Sequence, residues 1–153
     1  MFDQVLGLPA HPLVVHFAVV LTPMLVAVAV AYALVPRWRA ATAWAVTLLS
    51  IAAPVAVFAA WQSGQSLKAA RFATAGGELG QRISAHEAHA VPLLLSAAGL
   101  GSVSLVLVHA SRGDRFGKPG TAVLSGLTVV LAAVTAYYVF LAGDSGARAV
   151  WEL

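Results

Sequence analysis

Residues 11–35 read HPLVVHFAVVLTPMLVAVAVAYALV, and from Pro12 onward the stretch holds no Asp, Glu, Lys or Arg. An uncharged apolar run of that length is long enough to cross ~30 Å of hydrocarbon, which takes ~20 helical residues. Three further runs follow, at about 41–61, 85–110 and 121–142. The chain is 60% hydrophobic and only 10% charged, with a mean hydropathy of +0.86. A soluble domain carries about 25% charged residues. These readings predict an all-α fold: an integral membrane four-helix bundle forming one domain over residues 1–153.

Composition narrows the chemistry. The chain has no cysteine, which excludes disulfides, thiolate zinc sites, iron–sulfur clusters and covalently attached haem. A net charge of +3 is too small to argue for nucleic acid. The opening MFDQVLGLPAHP has no basic segment, and the run after it is too long for a signal peptide, so it is expected to stay as a span.

Lys and Arg set the topology. Arg37, Arg39, Arg112, Arg115 and Lys118 crowd two short connections. Lys68, Arg71, Arg82 and Arg148 are spread over more chain on the other side. The dense side is expected in the cytoplasm, with both termini and the polar segment 62–84 outside. Trp38 and Trp44 would anchor the inner interface, and Trp61, Tyr137, Tyr138 and Trp151 the outer one. Ala52, Ala56 and Ala60, with Gly99, Gly101, Ala132 and Ala136, supply small surfaces for helix packing. Pro23, Pro54 and Pro92 predict kinks. Ser84 and Glu87 have the S-x-x-E spacing of a capping box, which predicts a helix start at Ser84.

The two halves repeat in outline. HPLVVHF opens the first span and HEAHAVP the third; Ser63-Gly64 follows the second and Ser145-Gly146 the fourth. Matched points lie 75 residues apart at one end (His11, His86) and 82 at the other (Ser63, Ser145). Two parallel hairpins related by an axis along the membrane normal would produce this pattern.

Four of the five histidines fall at one end: His11, His16, His86 and His89. Ionisable groups at membrane depth are costly and mark working sites. His86 and His89 share a helical face, whereas His11 and His16 are about 140° apart. His16 and His89 lie at similar depth inside their spans, about one turn in.

Three readings compete. In the first, His16 and His89 are axial ligands of haem b between helices, His11 and His86 assist or substitute, and Arg82 and Arg148 meet the propionates. In the second, the cluster, centred on His16 and His89, binds copper or another divalent metal. In the third, the imidazoles bind no cofactor and only bond backbone carbonyls and each other. His109 stands alone at the inner end and reads as interfacial. No nucleophile motif, phosphate loop or mid-membrane carboxylate is present, which points to an electron-transfer or accessory protein rather than a stand-alone enzyme.

HPLVVHF (11–17), SAHEAHA (84–90) and GDSGARAVW (143–151) resemble the DUF2231 family, small four-helix membrane proteins of bacteria. The resemblance covers nearly the whole chain, and HP-x-x-VHF is its most specific part. It carries over to His11, Pro12, His16, His86, Gly143, Ser145 and Gly146. It implies the bacterial cytoplasmic membrane and a redox setting, because similar domains occur joined to Rieske-type or c-type cytochrome modules. Relatives often place a histidine in a G-H-x-G arrangement after the last span; here that position is Asp144. The leading expectation is a small haem b-binding electron-transfer protein. The alternative is a non-catalytic subunit of a larger respiratory complex, packed through its Ala/Gly faces. Expected partners are the lipid bilayer, a respiratory-chain or redox protein, and a second copy of the chain; nucleic acid is not among them.

Overall fold

The computed structural model describes residues 4–5, 7–113 and 115–151. Asp3, Asp114 and Glu152 lie outside the described residues, as does the side chain of Trp151. Two-residue strands, β1 (Gln4–Val5) and β2 (Leu8–Pro9), form a small antiparallel hairpin. Five helices follow: α1 (Ala10–Leu34), α2 (Arg39–Arg71), α3 (Gly77–Ala88), α4 (Ala90–Ser111) and α5 (Gly117–Trp151). Helices α1, α2, α4 and α5 are the four spans, α3 continuing from α4 as a polar extension. Around the bundle, α1 packs on α2 and α5, and α4 packs on the same two, so α1 and α4 face each other diagonally.

Burial repeats with the sequence offsets. Ala18, Thr22, Leu25, Ala29, Tyr32 and Ala33 of α1 are buried, and so are the residues 75 further on: Leu93, Ala97, Leu100, Ser104, Leu107 and Val108 of α4. Val46, Ser50 and Ala53 of α2 match Thr128, Ala132 and Thr135 of α5 at an offset of 82. The bundle is therefore two parallel hairpins, α1–α2 and α4–α5, related by a pseudo-two-fold axis.

Several hydroxyls inside the spans return to their own helices, whereas those of Thr22, Ser50 and Ser104 are buried without a partner among the described residues. Thr47, Thr128 and Thr135 each donate to the carbonyl four residues back. That bond makes a polar side chain tolerable where no water is at hand. At the end bearing the short connections, Arg39 donates to the carbonyls of Tyr32 and Ala33, which end α1 without intrahelical partners. Tyr32 closes the same end through a 2.6 Å bond with Ser111.

Several sequence expectations need correction. The segment 62–84 is not a loop: α2 runs on to Arg71 and α3 begins at Gly77. Ser and Gly in this stretch reflect close side-chain approach, described below, rather than a turn. The turn itself is short, and Gly77 takes the left-handed φ of 62° at its helix start. Ser84 lies inside α3 and caps nothing. Glu87 instead reaches across to α2, accepting from Gln65 (2.7 Å) and Lys68. Pro92 does not kink the middle of a span. It stands in the first turn of α4, where its missing N–H and its ring break the helix just before, at His89.

Helices α2 and α4 meet most closely at Gly101, where an added Cβ would collide with the carbonyl oxygen of Ser50. Gly99 faces only Leu131 side-chain carbons at 3.7 Å or more. Gly101→Ala is expected to cost about 2 kcal/mol by overpacking. Gly99→Ala is expected to stay within ~0.5 kcal/mol of the parent. Thermal unfolding in mild detergent compares the two; equal melting curves would contradict the packing described.

Candidate functional site

His11 lies in the first turn of α1 and is half-buried against α2. Its Nδ1 is 3.0 Å from the Ala60 carbonyl oxygen and 3.1 Å from Ser63 Oγ. Ser63 Oγ in turn donates to the Ala60 carbonyl at 2.9 Å. A carbonyl only accepts, and the serine proton is already committed. Nδ1 must therefore carry the hydrogen, which leaves Nε2 with a free lone pair.

His86, near the end of α3, repeats this on α5. Its Nδ1 is 3.1 Å from Ser145 Oγ, beside the Ala142 carbonyl. Ser145 Oγ donates to the same carbonyl at 3.3 Å. Each ring also lies against a glycine. A Cβ at Gly64 would stand 3.1 Å from His11 Cε1, and one at Gly146 would stand 3.1 Å from His86 Cε1. The Ser-Gly pairs after the second and fourth spans are thus seats for the two imidazoles. The sequence exposed them as a repeat but gave no sign of what they touch.

The seats bring the two imidazoles together across the pseudo-two-fold axis. Their centroids are 6.4 Å apart and their planes cross at 68°. His16 is exposed on α1, with Nδ1 bonded to the Pro12 carbonyl one turn back. His89 occupies the break between α3 and α4. Of the four clustered histidines, the structure pairs His11 with His86. His16 and His89 are not related by the repeat: the residues at +75 and −75 from them are Val91 and Val14. His109 is exposed in the last turn of α4.

The arginines named for propionates do share this end. Arg82 pairs with Glu78 (2.6 Å) and donates to the Arg148 carbonyl (3.1 Å). Arg148 pairs with Asp144 at 2.9 Å. Asp144 is thus engaged on its own helix, one turn from its partner. Among the described residues, no group of three or more His, Asp or Glu is placed to hold a metal ion.

The fold and this end together define a four-span membrane bundle with a symmetric, paired-imidazole seat. Residues 7–153 match the profile of DUF2231, a predicted membrane protein, and the chain belongs to that family. No curated protein and no solved structure matches it.

The tautomer assignment is open to direct measurement. In 15N-histidine-labelled protein, both His11 and His86 are expected to carry the proton on Nδ1 and to present an unprotonated Nε2. Nitrogen chemical shifts showing Nε2–H on either ring would contradict the seat.

Proposed function

We propose that this protein is a small membrane cytochrome in which His11 and His86 would hold a haem b. The observation that carries the reading is the pair of imidazoles 6.4 Å apart across the pseudo-two-fold axis, each anchored at Nδ1 and open at Nε2. Metal-bound histidines are commonly oriented in this way, with the other ring nitrogen donating to a carbonyl. A metal or haem iron bound here would be held by His11 and His86 through their unprotonated Nε2 atoms.

The donor set favours haem over a bare ion. A structural zinc centre takes four protein ligands and a catalytic one three. Haem iron needs only axial ligands from the protein, and this site offers two. Bound haem would supply one-electron transfer. The chain's own part is to fix both imidazoles, through Ala60, Ser63, Ala142 and Ser145, before the cofactor arrives. Arg82 and Arg148 would exchange Glu78 and Asp144 for propionates at the surface.

By the positive-inside argument the basic connections lie in the cytoplasm, which puts the histidine pair at the outer face of a bacterial cytoplasmic membrane. A redox protein docking there would be the electron partner.

Oxidised and dithionite-reduced absorption spectra test the proposal, on protein purified in mild detergent after expression with haem available. A sharp α band at about one haem per chain is expected. His11→Ala and His86→Ala should abolish it, while His16→Ala and His89→Ala should retain it. A flat spectrum from folded protein would sink the haem reading. Stoichiometric copper in such protein, lost in the same two variants, would assign the pair to a metal ion instead.

A further inference from the structure

At the opposite end of the bundle an open cleft of about 520 Å³ lies between the end of α1 and the first turns of α5. Arg39, Lys118, Ser111, Thr121 and Ser125 line it together with apolar groups. Arg39 spends Nε and Nη2 on the Tyr32 and Ala33 carbonyls and on Ser125 Oγ. Its Nη1 has no hydrogen-bond partner among the described residues, and neither has Lys118 Nζ. Ser125 Oγ accepts from Arg39 and finds no acceptor there for its own proton. Among the described residues no carboxylate lines the cleft and no ion pair engages either cation. Arg39, Lys118 and Ser125 therefore line one cleft with no carboxylate among its described lining residues.

We propose that this cleft binds a phosphate group, and that its source is the headgroup of an anionic glycerophospholipid. Two cations and a hydroxyl match the oxygens of a phosphate and its charge. The cleft lies at the level of the basic connections, where Trp38 and Trp44 are 49% and 69% exposed, as side chains of an interfacial belt are. Its rim carries exposed Leu34 of α1, and exposed Val123 stands beside it on α5. Apolar flanks below a cationic seat accommodate acyl chains below a headgroup. Basic pockets between membrane helices bind anionic headgroups on these grounds.

Native mass spectrometry of the full chain in detergent tests this, with phosphatidylglycerol and phosphatidylcholine of identical acyl chains as probes. Both lipids carry a phosphodiester, but the choline ammonium cancels its charge in phosphatidylcholine and is repelled by the two cations; at about five-fold per cation, phosphatidylglycerol should bind up to roughly thirty-fold tighter. Lys118→Gln should lower the phosphatidylglycerol affinity about five-fold. Arg115→Gln removes the same formal charge from the neighbouring connection, outside the cleft, and should leave affinity within about two-fold. Arg39→Gln should lose more, but it also uncaps α1, so Lys118 decides. Equal affinity for the two lipids, or equal losses in Lys118→Gln and Arg115→Gln, would overturn the site. Inorganic phosphate distinguishes the source: failure to displace phosphatidylglycerol at millimolar concentration supports the lipid, and displacement there assigns the cleft to the free ion.

Discussion

Each imidazole of the paired site is tied to a serine on a neighbouring helix, and that serine to a carbonyl of its own helix. His11 bonds the Ala60 carbonyl and Ser63 of α2, and His86 bonds Ser145 of α5. These ties link fold and site. In hydrocarbon, and at its edge, an imidazole N–H without an acceptor has little water to turn to, so a bond of this kind sets register more firmly than it would in a soluble protein. The glycine beside each serine is the condition for it. With a Cβ at Gly64 or Gly146, ring and helix would be crowded to 3.1 Å, and the imidazole would have to give way. The same four residue types therefore hold the hairpin in register and aim the ring.

The pseudo-symmetry is close in the membrane and broken outside it. Burial on α1 and α4 follows an offset of 75 down to Ala33 and Val108, and burial on α2 and α5 follows one of 82. The second half thus holds seven more residues between its histidine and its serine, with separations of 59 against 52. The extra residues fall between Val108 and Thr128, around the α4–α5 connection. Seven residues are about two helical turns, so the buried face of α5 stays in phase with that of α2. At the other end α3 stands, by the offset of 75, where the first half holds β1, β2 and the start of α1. It is bound to α2 by Glu87 through Lys68 and Gln65, and to α5 by Arg82 and the His86 seat. His86 is consequently held from two sides. His11 depends on α2 and the start of α1.

Much of this was legible from residue patterns. The centres of all four spans follow from uninterrupted apolar runs, and the repeat follows from the two histidine segments and the two Ser-Gly pairs. The helix ends did not follow. Gln62–Arg71 reads as loop because Ser63, Gly64 and Ser66 are turn formers, yet here they lie within α2. Their composition answers to His11, which is distant in sequence and invisible to a local reading. Which histidines meet was hidden for a related reason. Depth along a span singles out His16 and His89, but depth says nothing of which way a side chain faces. The offset of 75 is the better guide, because a symmetry-related pair must meet at the axis or miss it together. It selects His11 and His86, and the Ser-Gly seats agree.

The same reasoning bears on Asp144, the position at which the family resemblance implies a histidine. Ser145 is the residue that touches His86, and successive helical residues are turned by about 100°. A side chain at 144 therefore leaves the ring along a different face from the one that seats the imidazole. Asp144 follows that course: its carboxylate turns to Arg148, one turn on, along the outside of α5. Replacing a histidine there subtracts nothing from the His11–His86 pair. It bears instead on the outer surface of α5, where a carboxylate paired with Arg148 lies close to the backbone that Arg82 contacts. The departure from the family pattern thus concerns the charge around the mouth of the site, and the paired imidazoles keep their seats.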